Sequence, residues 1–517
     1  MMLPCAARVV TGRQSARSLL RSHCNLRRTA ARRTFCAPAA RSARQDGGRR
    51  LGLGVAVGAA FAARTELALG GGGVAKAEAS VKSQLEAVAA RLAAIEESLA
   101  PGGDDEGTET VVNWSATHTV ETKKLHQPET LAELEALVAC AHADGRKLRV
   151  LGSAISPNGI GFSSGEMVTL SLYDRVLSVD TDLQQVTVEA GARVQQVVEA
   201  LREHQLTLQN YASIAEQQIG GFISVGAHGT GAQLPTVDDT VVRMKLITPS
   251  RGTIEVSATQ EPELFHLAKV GLGALGVVVE VTLQCVQAHE LLEHTFVRDH
   301  AWVKAHHKQT LQENQHVRYM WVPYTDSVIV VTNNPITEGG AMPVLEATYT
   351  NEERLAPFRA LFSEVFPDIP KTELEMFSFA DFRDKLISHA PLDKPHIVKV
   401  NIAEAEFWKR SEGYARGPSD TKLQFECGGQ QWVSEVGFPC GSFDEPSGAD
   451  LEYMERTLAL IEREDIAAPS PIEVRLPPSA GCRCRSAVVL SRLRCGRLVF
   501  SFAHELEWWV AKLRHPA

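Results

Sequence analysis

The sequence predicts an α+β protein of at least two domains, with an anion-binding loop in the first and no Rossmann fold, and three observations carry this. From Val111 onward, apolar runs of strand period alternate with stretches of helical period. Two segments, 151–161 and 220–231, concentrate glycine and small hydroxyl residues. Their backbone N–H groups suit a phosphate, although the first segment read alone is equally an ordinary strand-to-loop turn. The third observation is negative. Gly271-Leu-Gly273-Ala-Leu-Gly276 matches the dinucleotide fingerprint, yet an expected helix (262–270) precedes it and an expected strand (277–284) follows, the reverse of the required order.

Length and composition agree with a folded protein holding an ample core: 517 residues, 44% hydrophobic and 22% charged. The first 50 residues hold 12 arginines and one acid, Asp46, and the remainder, with 41 Lys and Arg against 61 Asp and Glu, carries −20. So acidic a body argues against a nucleic-acid partner. Ten cysteines form no disulfide framework, and Cys482-Arg-Cys484 lacks the second pair that a zinc site needs, so no metal is expected.

Taken in order, residues 1–50 read as a mitochondrial presequence, with a plastid address as the alternative. Residues 51–63 are apolar but too short for a membrane span, and suit a sorting signal that stops the protein at the inner membrane. Val81, Leu85, Val88, Leu92, Ile95 and Leu99 alternate steps of four and three, a short heptad helix, and 101–110 reads as a linker. A helix is expected over 128–144, opened by Gln-Pro-Glu-Thr, with Leu131, Leu134, Leu137 and Val138 on one face. Strand 147–151 enters the first glycine-rich loop. Strands are expected at 168–172, 176–179 and 185–189, then a helix over 193–204 and a strand-loop-strand segment at 206–211. In the second glycine-rich segment, glycines at such density cost folding entropy that a close backbone approach to a ligand must offset. Residues 287–470 mix strands such as 327–332 with helices such as 356–366, a separate α+β domain.

Several strings in one order carry a resemblance. Residues 151–161, Leu208-Gln-Asn-Tyr-Ala-Ser213, Glu216-Gln-Gln-Ile-Gly-Gly221, Val225-Gly-Ala-His-Gly-Thr-Gly-Ala232 and Pro262-Glu-Leu-Phe-His-Leu-Ala268 resemble flavoproteins of the vanillyl-alcohol-oxidase type. Ala403-Glu-Ala-Glu-Phe-Trp408, Cys427-Gly-Gly-Gln-Gln-Trp-Val-Ser-Glu435 and Pro471-Ile-Glu-Val-Arg475 extend the likeness to the mitochondrial aldonolactone oxidoreductases within that family. The resemblance implies a two-subdomain FAD-binding domain of the PCMH type over 111–288 and a cap domain over 289–475 that covers the flavin ring. It also implies oxidation of L-galactono-1,4-lactone to ascorbate, with electrons passing to cytochrome c. An oxygen-using sugar-lactone oxidase is the nearer alternative, and a non-catalytic partner in assembly of respiratory complex I the more distant one.

Carried over residue by residue, the resemblance places Gly152, Ser153, Ser156, Pro157, Asn158, Ser213, Gly220, Gly221, Gly226 and Gly229 against FAD, with His228 and Thr230 as polar contacts. A structural histidine bonding a loop carbonyl is the alternative for His228. Ile155 stands where many relatives carry a histidine joined covalently to the flavin. Isoleucine has no nucleophilic nitrogen, so the FAD is expected to be non-covalent. Arg475 matches the cation near flavin N1, and Glu473 the partner that positions lactone hydroxyls; two apart on a strand, they share a face. Ala212 matches a small residue at the flavin edge that is often glycine in oxygen-using relatives, and its methyl group would keep oxygen away. Cys427 is either an oxidant-sensitive thiol beside the site or a buried inert one. No general base is assigned.

After Arg475 the resemblance is expected to stop. Residues 476–500 hold five arginines, three cysteines and no acid, and Glu507-Trp-Trp-Val-Ala-Lys512 only echoes the relatives' His-Trp-x-Lys motif, so 476–517 reads as a divergent tail.

Overall fold

The structure, a computed structural model, describes residues 108–211, 214–336, 348–424, 435–469, 471–476 and 497–501. All of these lie in one compact unit, Leu92–Ala517. The expectations for 1–50, 51–63 and 81–99, and those for Ala212, Ser213 and Cys427, lie outside the described residues. Among the described residues, no helix is long and apolar enough to cross a membrane.

A small parallel sheet begins the fold, with Glu166–Thr169 between Lys124–His126 and Leu148–Leu151. The crossover between the outer two is the helix Leu131–Ala143. It starts later than 128 because the Thr130 hydroxyl accepts the Glu133 N–H at 3.3 Å, and that cap sets the first turn. Leu134, Leu137 and Val138 are buried on its inner face, as their spacing requires.

Next comes a five-stranded antiparallel sheet in the order Gly252–Ser257, Val241–Thr248, Val277–Gln284, Gln185–Glu189, Val176–Asp180. Strands 185–189 and 277–284 form at their expected bounds, and the latter, central in the sheet, is apolar because it is buried on both faces. Helix Pro262–Ala268 precedes that strand, so the fingerprint-like loop runs from helix to strand and the Rossmann reading fails as expected. Two expectations change. Residues 206–211 supply only the two-residue strand Leu206–Thr207, and Gly220 and Gly221 sit inside a short helix, Ile219–Ser224.

The second half is built on a seven-stranded sheet ordered Gly413–Pro418, Glu290–Arg298, Ser327–Pro335, His316–Val322, Ile472–Arg475, Arg497–Ser501, Glu435–Pro439. Alternation sorts its side chains. Val317, Tyr319 and Trp321 pack under helices His300–Glu313 and Ala449–Arg463. Val322, Ile329 and Val331 face the opposite side with Ala405 of helix Lys394–Lys409, which joins helices Asn351–Val365 and Phe379–His389 in a phenylalanine-rich cluster. Strand 497–501 lies in the expected tail yet pairs Val499 with Arg475 and Phe500 with Val474.

The halves meet in named contacts. Arg202 Nε donates to Asp420 Oδ2 at 2.6 Å, and the Val317 N–H donates to the Thr230 carbonyl at 3.2 Å.

Candidate functional site

Where strand Leu148–Leu151 ends, the chain turns into a cleft of about 1050 Å³, counting its open mouth. The first loop forms one wall, Gln217 to Val225 a second, and the fingerprint-like loop, through Leu272, Gly273 and Gly276, a third. Arg149 clasps two walls: its guanidinium donates to the Ile160 carbonyl at 2.5 Å and to the Leu272 carbonyl at 3.0 Å.

The first loop is oriented from behind. Its carbonyls are occupied: Trp114 N–H donates to Ala154, the Asn113 amide to Ser156 and the Thr117 hydroxyl to Pro157, at 2.8, 3.0 and 2.9 Å. The N–H groups of Ser153, Ala154, Ile155 and Ser156 have no acceptor among the described residues, and all four residues line the cleft. Gln217 Oε1, buried on the facing wall, likewise has no partner among the described residues. Unused donors beside apolar walls fit a ligand with an anionic centre and a flat ring, which is the chemistry of FAD.

A second cluster lies on the seven-stranded sheet. Glu473 and Arg475 point to one face, as expected, with Arg475 Nη2 donating to Glu473 Oε2 at 2.9 Å. Arg318, opposite Arg475 in the ladder, brings its Nε to 3.8 Å from Glu473 Oε1. Burial by itself would raise the Glu473 carboxyl, but Arg475 and Arg318, with a smaller contribution from His228, hold it below the ordinary carboxylate range. Its Oε1 accepts no hydrogen bond among the described residues, leaving a buried anionic acceptor. Thr230 Oγ1 lies 3.2 Å from Nδ1 of His316, and burial pushes that imidazole down to about 4, so it is neutral.

Of the residues expected at the cofactor, Gly152, Ser153, Ile155, Ser156, Asn158, Gly220 and Gly221 line the cleft. Pro157, Gly226, His228, Gly229 and Thr230 do not. Asn158 also caps the turn Gly159–Gly161, its Oδ1 accepting the Ile160 N–H at 3.1 Å. His228 Nδ1 lies 3.0 Å from the Gly229 carbonyl, the loop contact its structural alternative describes, and His228 itself contributes to the Glu473 cluster rather than to the cleft wall. Gly229 is required by packing: a Cβ there would lie 1.8 Å from Asn210 Oδ1. Sequence reasoning missed Arg149, Gln217, Arg318 and the third wall. The fingerprint-like glycines were visible, but their value as a wall depended on where the fold sends them.

Two family models match in tandem: one described as FAD binding domain over residues 123–257, and one described as D-arabinono-1,4-lactone oxidase over residues 281–492. The second continues past Arg475, further than the strings quoted above. The chain is 54% identical over 382 residues to the mitochondrial L-galactono-1,4-lactone dehydrogenase of Brassica oleracea, covering 72% of this chain and 64% of that one. It is 53% identical to the Arabidopsis thaliana protein of the same name over 72% of this chain and 63% of that one. An L-gulonolactone oxidase of Bos taurus is 33% identical over 43% of this chain and 52% of its own. The chain thus spans a little under two thirds of the length of the plant relatives. Among solved structures, a cholesterol oxidase from Brevibacterium sterolicum matches with a TM-score of 0.56 at 14% identity, covering 78% of this chain and 82% of that one. A solvent-stable cholesterol oxidase matches at 0.57 and 16%, covering 76% and 79%. These two likenesses bear on the fold alone, which is of the vanillyl-alcohol-oxidase type. By its tandem family matches and its half-identity to the plant dehydrogenases, the chain is similar over residues 123–492 to FAD-binding aldonolactone oxidoreductases.

Proposed function

We propose that the chain holds FAD non-covalently in the cleft and oxidises L-galactono-1,4-lactone to ascorbate, passing electrons to cytochrome c in mitochondria. The observation that carries this reading is the Glu473–Arg475 pair, half-buried and ionised, with one carboxylate oxygen that accepts no hydrogen bond among the described residues. Such a pair offers an acceptor for a sugar hydroxyl and a cation beside it, which is what a polyhydroxylated lactone needs to be oriented.

FAD, once bound, supplies the hydride acceptor. The chain's own part is positional: the N–H groups of the first loop face the anionic centre, Arg149 ties the walls together, and Arg475 brings positive charge to the oxidation site. Residues 111–288 would form the FAD-binding domain and 289–475 the cap. By the resemblance Ala212 would lie at the flavin edge, where its methyl group would obstruct oxygen, which supports a protein acceptor. The arginine-rich start supports mitochondrial import, and the apolar segment 51–63 supports association with the inner membrane. The same location would suit a role in complex I assembly.

The test is anaerobic mixing of flavin-loaded protein with L-galactono-1,4-lactone. Bleaching of the flavin absorbance is expected, with its rate cut about 100-fold or more in Arg475→Met. Flavin-loaded protein that stays yellow with excess lactone would overturn the reading.

A further inference from the structure

A ligand held in the cleft without a covalent bond leaves only when one of the walls gives way. The first wall is braced from behind by Asn113, Trp114 and Thr117. The second is anchored by Ile219, Phe222 and Ile223, all buried in the core. The third, 270–276, is built differently. Its ends are packed on backbone: a Cβ at Gly271 would lie 2.8 Å from the Leu267 carbonyl oxygen, and one at Gly276 would lie 2.2 Å from that of Ile247. Between those ends Leu272 and Leu275 are 41% and 38% exposed, and a Cβ at Gly273 would meet nothing nearer than 4.0 Å among the described residues. The loop is also strained. Val270 and Leu272 have φ of +58° and +53°, in the left-handed region that side chains disfavour, and for a β-branched valine this is an outlier. Such conformations persist only where the surroundings hold them, and they collect at ligand clamps.

We propose that Arg149 is a positioning residue for the cofactor, the latch of a gate: it holds loop 270–276 closed as the third wall, and FAD enters and leaves when that hold breaks. This rests on the reading that the cleft takes FAD non-covalently. Leu272 is held from both sides. Its N–H donates to the Ser224 carbonyl at 3.3 Å, and its own carbonyl accepts from Arg149 Nη1 at 3.0 Å. The same guanidinium donates through Nη2 to the Ile160 carbonyl at 2.5 Å, so one planar fork spans the first wall and the third. Releasing the Leu272 carbonyl frees the exposed middle of the loop to relax its backbone, while the packed ends at Gly271 and Gly276 stay in place. The gate therefore swings on two fixed points, and its closed state depends on Arg149.

The test uses the full chain loaded with FAD. Dilution gives the release rate as a rise in free-flavin fluorescence, and brief thermolysin digestion of the flavin-free protein reads how readily the chain is cut beside Leu272 and Leu275. Arg149→Met, which keeps the apolar stem, is expected to release FAD about tenfold faster, the loss of one charge-assisted hydrogen bond, and to be cut faster at the loop. Arg149→Lys is expected to behave like Arg149→Met, because an ammonium keeps the charge but not the fork that reaches two carbonyls. Val270→Asn, with a side chain that tolerates left-handed backbone, is expected to slow release about threefold by relieving strain in the closed loop. A methionine variant with the wild-type release rate would overturn the latch, and so would faster release without faster cutting at the loop. A lysine variant with the wild-type rate would overturn it too, since charge alone would then account for retention. A drop in the flavin-free urea midpoint that accounts for the faster release would show general loosening and likewise overturn it. Should neither arginine variant fold, Val270→Asn decides: slower release supports the gate, and an unchanged or faster one overturns it. Wild-type protein that binds no FAD overturns the cofactor reading, and the gate with it.

Discussion

Isoleucine at position 155 leaves the first loop without a nitrogen able to bond a flavin covalently, and the same residue lines the cleft. Acid precipitation of the folded protein should therefore leave all flavin colour in the supernatant, and colour pelleting with the protein would contradict a non-covalent site. His316 shows a different consequence of position. It is 1% exposed, and burial, with a lesser contribution from His289, pushes its imidazole from 6.5 down to about 4. A histidine kept neutral in the fold contributes fully above about pH 6.5. As pH falls toward 4 the unfolded chain takes up the proton first, and stability drops by about 3 kcal/mol before levelling off. Urea midpoints should fall over that window, and His316→Gln should flatten the fall; an unchanged slope would place the acid sensitivity elsewhere. Neither His316 nor Arg318 could be chosen from the sequence, because a histidine or arginine in an apolar strand gives no sign of which way it faces until a partner strand sets the register.

Elements were most legible where local chemistry is strong. The helix over 131–143 follows from a capping threonine and an apolar stripe, and strands 185–189 and 277–284 from short, bounded apolar runs. The segment 206–211 was misread because its apolar residues serve packing and a Tyr211–Thr207 hydroxyl contact rather than a ladder. Gly191, at the turn after strand 185–189, drew no attention in the sequence, yet a Cβ there would lie 1.8 Å from the Leu170 carbonyl oxygen and 2.4 Å from that of Tyr173. Both neighbours are backbone, so neither can swing aside. Its neighbour Ala190 lines the cleft and accepts the Gly220 N–H at 2.8 Å. Gly191→Ala is expected to destabilise the protein by about 3 kcal/mol and to release flavin, read as a rise in free-flavin fluorescence. Wild-type flavin retention in that variant would mean the turn yields more easily than its contacts indicate.

At the scale of the molecule, Arg202–Asp420 is a polar contact that joins the two halves: Asp420 is 4% exposed and Arg202 about half. Removing the arginine strands a buried carboxylate, whereas the exposed half of the pair is screened by water. Arg202→Met should therefore cost about 2 kcal/mol, below the value for a fully buried pair, and Asp420→Asn in the same chain should recover part of it. Chemical denaturation of the single and double variants checks this, and additive losses would show that the pair does not act as a unit. The sequence by itself determined the fold class, the non-Rossmann order of helix, glycine loop and strand, the glycine- and hydroxyl-rich turn after strand 148–151, and the shared face of Glu473 and Arg475. All of these depend on period, composition or spacing within a few residues. Only the tertiary structure decided that the fingerprint-like loop becomes a cleft wall, that Arg149 bridges 123 residues of chain to hold it, and that Arg318 converges on Glu473. Those outcomes depend on which strands pair and in what register, and register is set by the burial of whole faces rather than by any local string.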